Sequence, residues 1–248
     1  MVVVASAAGN NWPSLSHGLG DSGRSTQVRL DARRHNQGVT VSTAPTLHPA
    51  ADERRPFGLA ITLIVTGAVG WYGAMSLMTE RVRSLLDPEY TLNCDVNPLV
   101  SCGEIMGTWQ ASLLGFPNPL LGVAGLVAPI AVGVALLAGA RFARWFWWSF
   151  LTGVTGAFVF VLWLFDQAVF QIGVLCPWCM LVWAMVIPMF WVLLTWSLAA
   201  GVLVDSPRAQ RFGATVLPFV WVPILATILV IVVSIVVQFP TLISVLLG

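Results

Sequence analysis

Four cysteines are the residues of this chain best suited to chemistry, and they fall into two pairs of different spacing. Cys176-Pro177-Trp178-Cys179 is a C-x-x-C, and Cys94 and Cys102 have seven residues between them. A thiol pair cycles between dithiol and disulfide, and a thiolate attacks a neighbouring disulfide through a mixed disulfide that needs direct sulfur contact. Proline suits the first position of a helix, so Cys176 is expected near an N-cap, where free N–H groups and the positive end of the helix dipole stabilise a thiolate. Cys176 is then the sulfur that attacks and is attacked. Cys179, one turn deeper, is the one a lipid-soluble molecule could meet.

Three other readings of the cysteines stand beside this one. Two static disulfides on an extracytoplasmic face are common, although a C-x-x-C at a helix start is a poor staple. A four-cysteine zinc site is conceivable, but the seven-residue gap is wide for a ligand pair and nothing suggests a supporting shell, so no metal is expected. A thioredoxin-like domain is excluded because no βαβ pattern surrounds the C-x-x-C.

The elements that must position these sulfurs are membrane helices. The 248 residues are 57% hydrophobic and 9% charged, against about 25% charged in a globular domain. Ten of the 23 charged side chains and all three histidines lie in residues 1–56. From Phe57 onward there is no histidine, which removes a His-ligated haem, a His-containing zinc site and His acid–base chemistry from the apolar part. A net charge of +1 gives no basic field for nucleic acid.

A bilayer core about 30 Å thick needs about 20 apolar helical residues. Five stretches approach that length: 57–78, 120–138, 145–165, 179–201 and 216–239. The expected fold is an all-α membrane bundle. Arginines in short flanks are retained in the cytoplasm. Arg54, Arg55, Arg141, Arg144, Arg208 and Arg211 flank one side; only Arg81 and Arg83, among several carboxylates, lie on the other. This places the N-terminus in the cytoplasm and the C-terminus outside. Residues 1–56, rich in Ser, Gly, Arg and His, are expected to be a disordered cytoplasmic tail. Span 1 then serves as an uncleaved insertion signal.

The arginine count, made without reference to cysteine, puts all four cysteines on one face, the oxidising extracytoplasmic one. Cys94 and Cys102 fall in the loop 79–119, followed by an apolar stretch, 105–114, too short to span. That stretch is expected to lie as a partial helix over the outer mouth, a support from which the loop pair could swing between a soluble partner and the C-x-x-C.

With these features in place, the sequence from about 57 to 201 resembles the vitamin K epoxide reductase family, in its bacterial, single-domain form. The resemblance rests on Cys94-Asp95-Val96 through Ser101-Cys102, on the run Asn118, Pro119, Leu120, Leu121, Gly122, and on Cys176-Pro177-Trp178-Cys179. Cysteine order separates it from the other membrane thiol oxidase, DsbB, whose C-x-x-C precedes its loop pair. The resemblance implies four helices around a quinone, with a fifth helix beyond them. It also implies an electron path from a secreted thioredoxin-fold, DsbA-like protein to the loop pair, to the C-x-x-C, to quinone. On that pattern Cys94 faces the partner, Cys102 attacks Cys176, Cys179 contacts the quinone ring and Asn118 hydrogen-bonds a quinone carbonyl. Met106, Trp109 and Trp183 are further candidates for the pocket. Trp183 stands where members often carry tyrosine, and its indole N–H donates but does not accept.

The family's fused thioredoxin-like domain is not found before Gly248, so the partner is expected to be a separate polypeptide. All twelve basic residues are arginine, the mark of a G+C-rich genome, and this sets menaquinone ahead of ubiquinone as acceptor. The sequence therefore reads as a cell-membrane oxidoreductase of oxidative protein folding. Reduction of vitamin K epoxide and a non-enzymatic scaffold are the competing functions. Two local readings also compete: Asn118 as a turn residue capping span 2, and Trp145, Trp147 and Trp148 as an interfacial belt.

Overall fold

The computed structural model describes residues 56–87 and 89–240. Residues 1–55, which make up nearly all of the expected tail, and the C-terminal residues 241–248 lie outside the described residues. Among those described there is no strand, and five helical segments are long and apolar enough to cross a membrane.

Helix α1, Phe57–Leu86, is longer than the apolar run alone indicated. Its continuation past Met78 contains neither Gly nor Pro, and it ends where Asp87 turns extended, as the residue before a proline does. The second crossing is two helices, α3 (Pro119–Gly125) and α4 (Val127–Leu137), meeting at Leu126. Pro129 explains the break, since it has no N–H to give the Gly125 carbonyl. The third is α5, Arg144–Asp166, prolonged by a π-helical turn over Gln167–Ile172 that stops at Gly173 with φ +77°, a conformation glycine adopts freely. The fourth is α6, Pro177–Ala199, with Pro188 inside it. A short amphipathic helix, α7 (Pro207–Val216), and a 3₁₀ turn at Leu217–Phe219 precede α8, Trp221–Gln238. The fifth crossing therefore starts later than residue 216, because Pro218 breaks the apolar run into a turn.

Helix α1 is the centre of the packing, lying against α3, α4 and α6, while α5 lies on α6. Burial is densest along α1 and α6, where Leu63, Ile187, Met189 and Leu193 are almost fully enclosed. Helices α4 and α1 approach closely at Gly133. A Cβ at Gly133 would lie 2.8 Å from the Ala60 carbonyl oxygen and 2.7 Å from Ile64 Cγ1, so glycine is what lets these helices meet. Helix α8 is an outer helix. Thr227 Oγ1 on it accepts from Trp191 Nε1 on α6 at 3.1 Å.

At the end of the bundle away from the cysteines, Arg144 grips Asp205 with both terminal guanidinium nitrogens, Nη1 at 2.7 Å. The three tryptophans at this end part company. Trp145 and Trp148 are exposed, whereas Trp147 is buried against Trp196 and belongs to the core, because successive helical residues face directions about 100° apart.

Gly133→Val should lower the unfolding free energy by about 1–3 kcal/mol, as overpacking against backbone does. Gly58→Ala, where a Cβ meets nothing within 4 Å, should leave it unchanged. Thermal denaturation of the purified protein followed by circular dichroism measures both.

Candidate active site

The cysteine loop is organised by one carboxylate. Asp95 Oδ1 accepts from Ser101 Oγ at 2.8 Å and from the N–H groups of Cys102 and Gly103 at 2.7 and 3.1 Å. The loop is thereby folded back on itself, and Ser101 caps the short helix α2, Cys102–Met106, by accepting from Glu104 N at 3.2 Å. Ser101 N then donates to the Leu175 carbonyl, and Leu175 N to the Leu99 carbonyl, both at 2.9 Å. These two backbone bonds sew the loop to the residue that precedes the C-x-x-C.

The result is sulfur contact. Cys94 and Cys102 form a disulfide, Cys176 and Cys179 are free thiols, and Cys102 Sγ lies 3.4 Å from Cys176 Sγ. Cys176 occupies the N-cap of α6 with Pro177 at its first turn, and its Sγ accepts from Cys179 N at 3.4 Å. The hydrogen bond from the Cys179 side chain holds the Cys176 thiol below its ordinary value. Burial opposes this, and the backbone N–H groups of Cys179 and Trp178 assist it. Cys102 and Cys176 are wholly buried, Cys94 is 4% exposed and Cys179 is half-buried.

The segment before Cys94 is also held. Glu80, buried on α1, accepts from Asn93 N at 3.2 Å, from Asn93 Nδ2 at 3.0 Å and from the Tyr90 hydroxyl at 3.4 Å. The loop pair is therefore a clamped disulfide, where the sequence suggested a swinging one. Any attack on Cys94 from outside requires this segment to move.

Below the sulfurs lies a cavity of about 910 Å³ reached by Cys102, Cys176 and Cys179 at one end and by Trp145 and Ser149 toward the other. It runs between the α3–α4 segment and α5, which are not packed against one another. Asn118, Met106 and Trp183 line it. Trp109 does not: it is exposed and tilted over Trp163 with ring centres 6.2 Å apart, because its short 3₁₀ turn, Trp109–Ser112, turns it outward.

Asn118 is buried at the N-cap position of α3, but its side chain makes no capping hydrogen bond. Its Nδ2 donates to the Gln110 carbonyl at 2.6 Å and its Oδ1 accepts from Leu113 N at 3.3 Å. It ties the partial helix over the cavity, leaving one N–H and one lone pair of the amide for a ligand. Gln110 and Gln167, joined at 3.3 Å across the cap and the π turn, also line the cavity, as does Arg81.

Sequence reasoning missed several of these residues. Asp95 and Ser101 carried a usable signal, a side-chain acceptor and a capping hydroxyl just before a short apolar run. Leu99 and Leu175 carried none, since their contribution is made by backbone.

The cavity fits a quinone on its own features. It is of ligand size, about 300–1,000 Å³ being usual, it is lined mainly by apolar side chains, and it ends on two thiols and an amide with spare bonding capacity. No group of three or more metal-ligating side chains occurs among the described residues. The model of a family described as the vitamin K epoxide reductase family matches residues 61–194. No curated protein sequence matches the chain.

Because the Cys176 thiol is held below the ordinary value, its thiolate fraction should rise at lower pH than that of an unperturbed thiol. Rates of iodoacetamide alkylation at Cys176, followed by mass spectrometry across pH, should give a midpoint under the usual thiol range. Cys179→Ala, which removes the leading hydrogen bond, should move that midpoint upward.

Proposed function

This chain belongs to the vitamin K epoxide reductase family, and from that premise we propose that it oxidises a secreted thioredoxin-fold, DsbA-like partner with menaquinone as the final acceptor. The family consists of membrane thiol–disulfide oxidoreductases that use quinone, and this chain is a multi-pass membrane protein with the family's cysteine pairs. The observation that carries the finer reading is the 3.4 Å contact between Cys102 Sγ and Cys176 Sγ at the mouth of an apolar cavity. A static pair of disulfides has no use for such a contact. In a relay, exchange passes through it.

The exchange balances as follows. A partner thiolate attacks Cys94, Cys102 leaves as thiolate, and the partner's second thiol closes the partner disulfide. Cys102 attacks Cys176 of an oxidised Cys176–Cys179 pair and Cys179 leaves. Cys94 then attacks Cys102 and releases Cys176, giving the state seen here: loop disulfide, C-x-x-C dithiol. Re-forming the Cys176–Cys179 disulfide releases two electrons and two protons, which a bound quinone would accept. The chain's own contribution is orientation. Asp95 and the Leu99–Leu175–Ser101 bonds hold Cys102 on Cys176, and the N-cap stabilises Cys176 as a leaving thiolate. Asn118 offers its free N–H to a carbonyl, and Met106 and Trp183 wall the ring.

On this reading the cysteine end faces the extracytoplasmic side and the Arg144–Asp205 end the cytoplasm. The acidic loop and the arginine flanks support that orientation.

Reconstituted in lipid vesicles with a reduced DsbA-like protein and a menaquinone, the wild-type protein should reduce one quinone per partner disulfide formed. Cys179→Ala should abolish this. Cys102→Ala should abolish turnover with the partner yet leave a small dithiol able to reduce the Cys176–Cys179 disulfide. Full partner oxidation by Cys179→Ala would overturn the relay, and no quinone reduction by the wild-type protein would favour a non-enzymatic scaffold.

A further inference from the structure

Among the described residues that line the cavity, one carries a formal charge: Arg81. It is on α1, one turn beyond Leu77, whose side chain packs with Cys102, Met106 and Cys176, so it stands at the sulfur end. Its Nη1 donates to the Met106 carbonyl at 2.6 Å. Its Nε is buried and has no hydrogen-bond partner. No carboxylate pairs with it among the described residues. Glu80 is taken up by Asn93 and Tyr90, and Asp95 by Ser101, Cys102 and Gly103.

Arg81 lies just past the apolar run of α1 and is partly buried, and a buried donor left unpaired is costly. Near a membrane surface the usual solution is for the side chain to extend into water. Arg81 does so only in part: the residue is partly buried, its Nη1 is held by the Met106 carbonyl and its Nε is shut off from solvent without a partner. A cation held over an apolar cavity, with a donor unused, fits a ligand that carries negative charge at that end.

Resting on the quinone reading above, we propose that Arg81 is the electrostatic partner of the reduced ring. It stabilises negative charge on the ring oxygen nearest the cysteines as two electrons leave the Cys176–Cys179 dithiol. In the balanced reaction the dithiol loses two electrons and two protons and the quinone gains both. Until the protons arrive, the oxygen bears the charge. A guanidinium already in place needs no reorganisation to meet it, and its forked donors suit an oxyanion better than a neutral carbonyl. Arg81 therefore discriminates between charge states of the ligand, whereas the apolar walls and Asn118 serve both.

Two binding probes of similar shape separate this from a structural role. One is 2-methyl-1,4-naphthoquinone, which is neutral; the other is 2-hydroxy-1,4-naphthoquinone, whose hydroxyl is ionised at neutral pH. Both are titrated by tryptophan fluorescence into the purified full-length protein in lipid nanodiscs. Arg81→Gln should weaken the anionic probe by about tenfold or more and the neutral one by less than about twofold. Arg81→Lys, which keeps the charge, should recover most of the loss. The quantity read is the ratio of the two affinities, which a general loosening of the cavity leaves unchanged. Arg81→Met gives a second uncharged variant should the Gln form fold poorly. Equal losses for both probes, or no loss for either, would overturn the proposal and leave Arg81 as a pin for α2. Wild-type protein that binds neither probe would instead sink the quinone reading itself, and this inference with it.

Discussion

Cys102 Sγ lies against Cys176 Sγ, and almost every other feature of the cysteine end serves to keep it there. Disulfide exchange demands direct sulfur approach, yet the two residues are 74 positions apart on different segments. The chain meets that constraint with backbone. Leu175, immediately before the C-x-x-C, exchanges hydrogen bonds with the loop on both its N–H and its carbonyl. Asp95 takes up three donors so that Cys102 is presented from a capped turn. Satisfied in this way, the polar groups of the loop bury beside a membrane bundle without the penalty that unpaired groups carry.

The same arrangement has a consequence for access. A loop this well bonded hides Cys94 as thoroughly as it fixes Cys102. On the membrane side the demand is different. The cavity needs space, and gaps between packed helices have to be held open. The broken second crossing, with Pro129 at its bend, and the π turn ending α5 both put irregular backbone at the cavity wall, where such departures from regular helix are commonly found.

Much of this was legible in the sequence. Hydropathy marked five crossings because twenty apolar residues have one cheap conformation in a bilayer, and the arginine flanks sorted the cysteines to one end. Pro177 marked the start of α6. Less legible were interruptions within crossings. Pro129 was visible as a residue, but whether it bends, breaks or merely perturbs a helix depends on neighbours. Tryptophan was ambiguous for a similar reason: Trp145, Trp147 and Trp148 share a composition and a neighbourhood, and only the helix face sends Trp147 into the core. For Asn118 the sequence allows a cap or a ligand contact; its amide braces the partial helix through Gln110 and Leu113 and keeps one N–H free.

The sequence by itself determined the class of protein, the chemistry available to it and the side on which that chemistry gathers, since each follows from local composition and from spacing along one segment. Tertiary structure alone decided how the Cys102–Cys176 contact is held, that the loop pair is clamped and buried, and that Arg81 lines the cavity. Those outcomes are set by contacts between segments far apart in the chain, made largely by backbone groups that every residue carries alike. Such contacts leave no residue-specific mark for a sequence to display.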